Sequence, residues 1–215
     1  MDFSADVTEP DDARPGEDGP RATAVIAIHL QPDVVEGPRY AAEVVRRQVL
    51  PRAIDFLDAV REAGVTVVLA RMAFRPDRQD LIANSPLFER VARTGTFADG
   101  SAGADLIGGL TRDPRDLVIT HQRTSALVGS PLDPMLRARG ITTLLVLGVA
   151  TNISVDSTAR SGVDLGYRVR VVEDLCAAGD PEAHAASYAT LATLAGGTTS
   201  AEVLDRLGRR PRGTR

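Results

Sequence analysis

The chain is predicted to fold as an α/β domain, a Rossmann-like three-layer α/β/α sandwich around a mostly parallel central sheet. Three observations predict it. Apolar runs of strand length recur at residues 23–30, 65–71, 117–120, 143–147 and 168–173, and they are rich in the aliphatic and β-branched residues that strands favour. Helical patterns lie between and after them, at 51–63, 131–139, 181–194 and 201–207. Strands alternating with helices require parallel pairing through right-handed crossovers, and therefore a sheet covered by helices on both faces.

At 215 residues with 43% hydrophobic content, the chain is long enough for one large domain with its own core. That domain is expected over residues 22–208. Residues 1–21 hold seven acids and two arginines with almost no apolar periodicity, so they are expected to form a disordered acidic tail. Residues 209–215 form a basic C-terminal tail. The formal charge of -4 gives no reason to expect a nucleic-acid partner. No apolar run reaches the length of a membrane span, and the N-terminus has acids where a signal peptide needs basic and then apolar residues, so a cytoplasmic protein is expected. The single cysteine, Cys176, excludes an internal disulfide and is expected to be buried just after the fifth strand.

The first strand, TAVIAIHL, is apolar until His29, as suits a central strand with a polar residue at its carboxyl end. Gln31, Pro32 and Asp33 read as a loop. The next helix has Pro51 at its first position and a stripe of Ile54, Leu57 and Val60. After the second strand, residues 72–115 are broken by three prolines and many small residues, which predicts a long loop with short helical pieces near 87–92 and 104–110. Loops of this length inside a compact domain are usually functional. The third strand closes on His121, Gln122 and Arg123, and the helix at 131–139 is stopped by Gly140.

The fourth strand, 143–147, ends at Gly148 and runs through a small-residue turn into a helix. Thr151 or Asn152 is expected to cap that helix, with Ser154 in or just before its first turn. A helix N-terminus favours negative charge, yet a serine is too weak an acid to be ionised by a dipole alone. Ser154 would need a base, and by composition alone these residues are also ordinary caps. In open α/β sheets ligands bind outside the carboxyl ends of the strands, where the winding reverses. His29, His121 and Ser154 each end a different predicted strand, so they can converge on one crevice.

The pattern G-V-A-T-N-x-[C/S]-V-x-S-T-A-R over 148–160, followed by D-L-G-Y-R-V, resembles the isochorismatase-like (cysteine hydrolase) superfamily at the segment carrying its nucleophilic cysteine. Here that position is Ser154. The resemblance extends from about Thr23 to about Leu207. The family's first strand ends in a motif like I-D-x-Q-N-D, whose first Asp is the general base or acid; this chain reads Ile28-His29-Leu30-Gln31-Pro32-Asp33. The family's V-x-K-x-R-x-S-A-F becomes Ile119-Thr120-His121-Gln122-Arg123-Thr124-Ser125-Ala126-Leu127, with His121 at the Lys position. The resemblance thus implies that His29, His121 and Ser154 replace the whole Asp-Lys-Cys set. Residues 71–76 resemble the family's second strand and substrate-side loop, without the Asp-x-His metal motif of nicotinamidases.

The resemblance implies a hydrolase acting on an amide C–N or ether bond of a small molecule, with no cofactor and no metal. His29 would be the general base toward Ser154, and histidine suits that role with an unperturbed pKa of roughly 6.5. His121 would be a second proton carrier or oxyanion partner, and backbone amides near Ala150 and Ser154 would receive negative charge. Gln31, Asp33, Phe74, Arg123, Ala150 and Asn152 are expected on the substrate side. Similar proteins are commonly dimers or tetramers, so a homo-oligomer is expected. The alternative is a catalytically inactive family member that binds a small molecule or a partner protein. A metal held by His29, His121 and Asp33 is a third option, although their spacing carries no ligand signature.

Overall fold

The computed structural model describes residues 19–110 and 113–208. The basic tail and residues 1–18 of the acidic tail lie outside the described residues. Pro20–Ala22, read in part as tail, forms a short 3-10 turn leading into the first strand.

Six strands form one sheet: β1 (Thr23–Ile28), β2 (Thr66–Met72), β3 (Leu117–His121), β4 (Thr143–Val149), β5 (Arg168–Ala177) and β6 (Gly197–Thr198). Their order is β3-β2-β1-β4-β5-β6, and every pairing is parallel. The winding reverses between β1 and β4. Both strands are buried along their full length, because helices cover both faces and neither face can use polar residues. One helical layer contains α3 (Val49–Glu62) and α8 (Ser200–Arg206), and the other contains α6 (Asp156–Asp164) and α7 (Pro181–Ala195). Phe56, Leu57 and Val60 of α3 and Leu191 of α7 are fully withdrawn from water, each such side chain contributing on the order of 1.5–3 kcal/mol of burial.

The connections hold elements that periodicity did not reveal. The stretch read as a loop and irregular link forms α1 (Pro32–Val35) and α2 (Ala41–Arg46), turns too short to express a helical period. Pro51 is the third residue of α3, which begins at Val49. The long β2–β3 connection contains α4 (Pro86–Thr94), capped by the Ser85 hydroxyl, and a 3-10 turn at Ala102–Ala104. It has a core of its own in Phe74, Phe88 and Val91, with Met72 at the end of β2. The remaining helix, α5 (Leu132–Ala138), follows β3.

Two features of β4 shape the ground on which the site stands. Gly148 has φ 122°, and a Cβ there would fall 2.1 Å from the Ile28 carbonyl oxygen. Only glycine lets β4 press this closely on β1. On the other side, Val146 pairs with Val171 but Gly148 pairs with Cys176, so two steps along β4 match five along β5. The bulged β5 segment holds Glu173 and Asp174, and β5 runs on far enough to include Cys176 rather than ending before it.

Candidate functional site

β1 and β3 deliver the two histidines. His29 follows β1 in a left-handed conformation (φ 53°), anchored by its amide to the Ala70 carbonyl at 2.9 Å. A non-glycine residue held there is sparsely populated and clusters at functional sites. His121 is the last residue of β3. Both are buried, and their Nε2 atoms lie 3.1 Å apart. The ring planes are within 13° of parallel with centroids 5.0 Å apart, so the rings approach nitrogen first. The other nitrogen of His121, Nδ1, is 2.8 Å from the Arg123 carbonyl oxygen.

Burial drives both imidazoles toward neutrality. For His29, desolvation and then the neighbouring His121 push the pKa well below 6.5, against a smaller favourable effect of the Val149 backbone. For His121, desolvation lowers it to about 4, partly offset by the Arg123 carbonyl. Among the described residues no carboxylate lies beside either ring to hold a proton, so both are neutral bases at pH 7. Among the described residues no group of three or more His, Cys, Asp or Glu side chains is arranged to hold a metal.

β4 delivers Ser154. After β4 the chain passes through a cis peptide at Val149–Ala150 into a π-helical segment, Thr151–Val155, continuous with α6. The expected side-chain cap at Thr151 or Asn152 is corrected here: Ala150 precedes the first helical residue, and no side chain caps it. The Ala150 carbonyl instead collects the amides of Ile153, Ser154 and Val155 at 3.1–3.2 Å. This also corrects the expectation that the Ser154 amide awaits an oxyanion, since that donor is spent inside the turn. Ser154 is buried, Ala150 is buried, and Asn152 faces solvent.

The residues expected on the substrate side divide. Gln31 is fully buried and wholly engaged: its amide nitrogen donates to the Met72 and Ala104 carbonyls, and its oxygen accepts from the Met72 amide. It is a strut between β1, β2 and the long connection. Asp33 accepts from the Phe97 amide at 2.7 Å, and its carboxylate occupies the place a Cβ on Gly103 would need. Phe74 is fully buried, edge-on to Phe88 at 6.3 Å, and so lies in the small second core rather than at a mouth. The Arg123 guanidinium lies over the Phe88 ring at 4.3 Å and donates to Asn84. Arg123 meets the histidine pair through its carbonyl.

A second polar series, unread in the sequence, supports the same turn from the other side. Thr151 Oγ1 lies 2.8 Å from His184 Nδ1, and His184 Nε2 lies 2.7 Å from Glu173 Oε1. Glu173 also receives Arg47 at 2.5 Å. A carboxylate can only accept, so His184 Nε2–H donates to Glu173. His184 is one of several polar residues in the predicted helix at 181–194, and Glu173 lies in the β5 bulge; spacing offered no signal that joins them.

The isochorismatase domain family matches residues 23–203. An uncharacterised isochorismatase family protein, YecD of Escherichia coli O157:H7, is 30% identical over 170 residues, covering 76% of this chain and 84% of that protein. The ureidoacrylate amidohydrolase RutB of Methylobacterium radiotolerans is 41% identical over 106 residues, covering 49% of this chain and 41% of its own length. A cysteine hydrolase from Pseudomonas syringae pv. phaseolicola superposes with a TM-score of 0.76 at 27% identity, covering 88% of this chain and 94% of that one.

Proposed function

Because the chain belongs to the isochorismatase family of hydrolases, we propose that it cleaves the C–N bond of a small amide or ureido compound with His29, His121 and Ser154 standing where relatives carry Asp, Lys and Cys. The observation that carries this reading is the 3.1 Å contact between His29 and His121, residues 92 apart in sequence. Two neutral bases from separate strands meet at the carboxyl edge of the sheet, beside the reversal between β1 and β4 where such folds take their ligands. The identity to a ureidoacrylate amidohydrolase supports an amide or ureido substrate.

In this reading the Ser154 hydroxyl attacks the carbonyl carbon while its proton passes to the neutral His29 ring. The imidazolium returns that proton to the departing amine as the C–N bond breaks, and water then hydrolyses the ester by the same route in reverse. The helical segment beginning at Thr151 presents its positive end to the charge that develops on the carbonyl oxygen. A protonated His29 is short-lived in so dry a place, which favours rapid proton return.

The second reading, a family member that binds without turnover, is favoured by one observation. The Nε2 of His29 is bonded to His121 rather than to the Ser154 hydroxyl. The two readings part in one experiment: turnover and binding measured on a panel of ureido acids and primary amides. Hydrolysis requires that Ser154→Ala and His29→Ala each lower kcat by about a hundredfold or more. Turnover indifferent to Ser154→Ala sinks the nucleophile, and ligand binding with no turnover in the unaltered protein establishes the second reading.

A further inference from the structure

The Arg123 carbonyl oxygen, 2.8 Å from His121 Nδ1, can only accept a hydrogen bond. His121 Nδ1 therefore carries a proton, and a neutral imidazole has just one. His121 Nε2 is then a bare lone pair, and it faces His29 Nε2 at 3.1 Å. Two lone pairs do not settle at that distance, so the bridging hydrogen belongs to His29 Nε2. The order of donation that satisfies both contacts is His29 Nε2–H to His121 Nε2, and His121 Nδ1–H to the Arg123 carbonyl. We infer that the His29 base atom is Nδ1, and that His121 is a positioning residue which sets the His29 tautomer rather than a second proton carrier. The assignment of tautomers stands on these two contacts between neutral rings, while the word base rests on the hydrolase reading above.

This arrangement replaces the carboxylate that usually orients a catalytic imidazole with a second imidazole oriented by the backbone. It fixes the tautomer without supplying charge. The buried pair consequently stays neutral, as the depressed affinity of both rings for protons requires. The charged groups of the neighbouring elements are turned elsewhere: Arg71 to Asp99 and Thr120, Asp33 to the Phe97 amide, and the Arg123 guanidinium to Asn84. The competing arrangement is His29 protonated on Nδ1, directed at the Val149 carbonyl that also lies beside the ring. That tautomer would leave the two Nε2 lone pairs opposed at 3.1 Å, whereas the inferred one leaves a bare Nδ1 near the Val149 carbonyl, and the spectrum decides between the two costs.

The test is two-bond 1H–15N correlation NMR on the full chain labelled with 15N-histidine at pH 7.5, with resonances assigned by His29→Gln, His121→Gln and His184→Gln. The expected spectrum has His121 as the Nδ1–H tautomer and His29 as the Nε2–H tautomer. His29 as Nδ1–H, or His121 as Nε2–H, overturns the inference. A second measurement uses His121→Leu, which removes the acceptor: His29 should lose its fixed tautomer and show averaged shifts. If His29 keeps a pure Nε2–H tautomer in that variant, His121 does not set it and the inference falls. Should His121→Leu not fold, the unaltered protein decides. Where a hydrolysed substrate is in hand, His121→Leu should lower kcat with little change in KM and move the pH profile. The expected tautomers in a protein that hydrolyses nothing would sink the hydrolase reading and leave the tautomer assignment standing.

Discussion

Two of the three histidines, His29 and His184, are equally buried and sit on opposite sides of the β4 turn, yet they are held in opposite ways. His29 meets another imidazole and, among the described residues, no carboxylate, so burial decides its protonation and drives it neutral. His184 lies between the Thr151 hydroxyl and Glu173, with Arg47 on the same carboxylate. A network closed by a carboxylate and a guanidinium ties the His184 ring to Arg47 and behaves as a strut. A pair of bases leaves one lone pair over, and a leftover lone pair is what proton transfer uses. The difference teaches that burial of a histidine says little until its partner is known.

The largest effect should come from the residue the two regions share. Gly148 pairs with Ile28 toward the histidine pair and with Cys176 toward Glu173. Gly148→Ala puts a methyl 2.1 Å from the Ile28 carbonyl oxygen at φ 122°, which should cost about 4 kcal/mol or more and abolish the cooperative melt. A variant that melts within a few degrees of the parent would show that β4 and β1 can part without loss.

Next, Glu173→Ala strips the strut and leaves Arg47 and His184 without their carboxylate. Glu173 is part-exposed, 28% at the side chain, so the loss should be about 2–3 kcal/mol, below that of a fully buried pair. A domain of this size should then melt roughly 5–10 °C lower. An unchanged melting temperature would reduce the series to ornament.

Removing one base should cost less. His121→Leu leaves the His29 Nε2–H and the Arg123 carbonyl unpartnered, for about 1–3 kcal/mol. The double change His29→Leu with His121→Leu should cost less than the sum of the singles, with a coupling of about 1 kcal/mol from denaturant melts. Strict additivity would mean that the two rings do not bond.

The pH dependence separates the regions without mutation. His121 binds its proton at about 4 when folded and at 6.5 when unfolded, and His29 is lowered in the same direction. The unfolded chain therefore holds more protons in that window, and stability should fall as pH drops from 6.5 toward 4. Glu173 adds a second decline in the same direction at lower pH. Burial raises its pKa, but the bonds from His184 and Arg47 outweigh this and lower it from 4.5, so its contribution is intact above 4.5 and lost below. The double leucine variant should flatten the first decline and keep the second.

The smallest effect concerns Cys176, whose carbonyl accepts from Arg47 Nε. Burial pushes its thiol up to about 12, so iodoacetamide at pH 7.5 should leave the native protein unlabelled while labelling the unfolded chain. Ready labelling of the native protein would mean that the β5 bulge opens.

The sequence by itself determined the layers and the strand ends. Continuous apolar runs such as residues 143–147 can be satisfied only in a sheet covered on both faces, and parallel strands place all their carboxyl ends on one side, so His29, His121 and Ser154 were bound to share an edge. The tertiary structure alone decided what each polar residue does there. Gln31 and Asp33 follow closely after β1, yet their hydrogen bonds go to backbone at the end of β2 and in the long connection, whose path no local period encodes. Phe74 is core because α4 lays Phe88 against it, with the Arg123 guanidinium over the same ring. His184 and Glu173 could not be joined from their spacing, because a bulge in β5 sets which way Glu173 points. Strand identity is a local consequence of hydrophobic pattern, whereas hydrogen-bond partnership depends on atomic position, which is fixed only when the whole chain is packed.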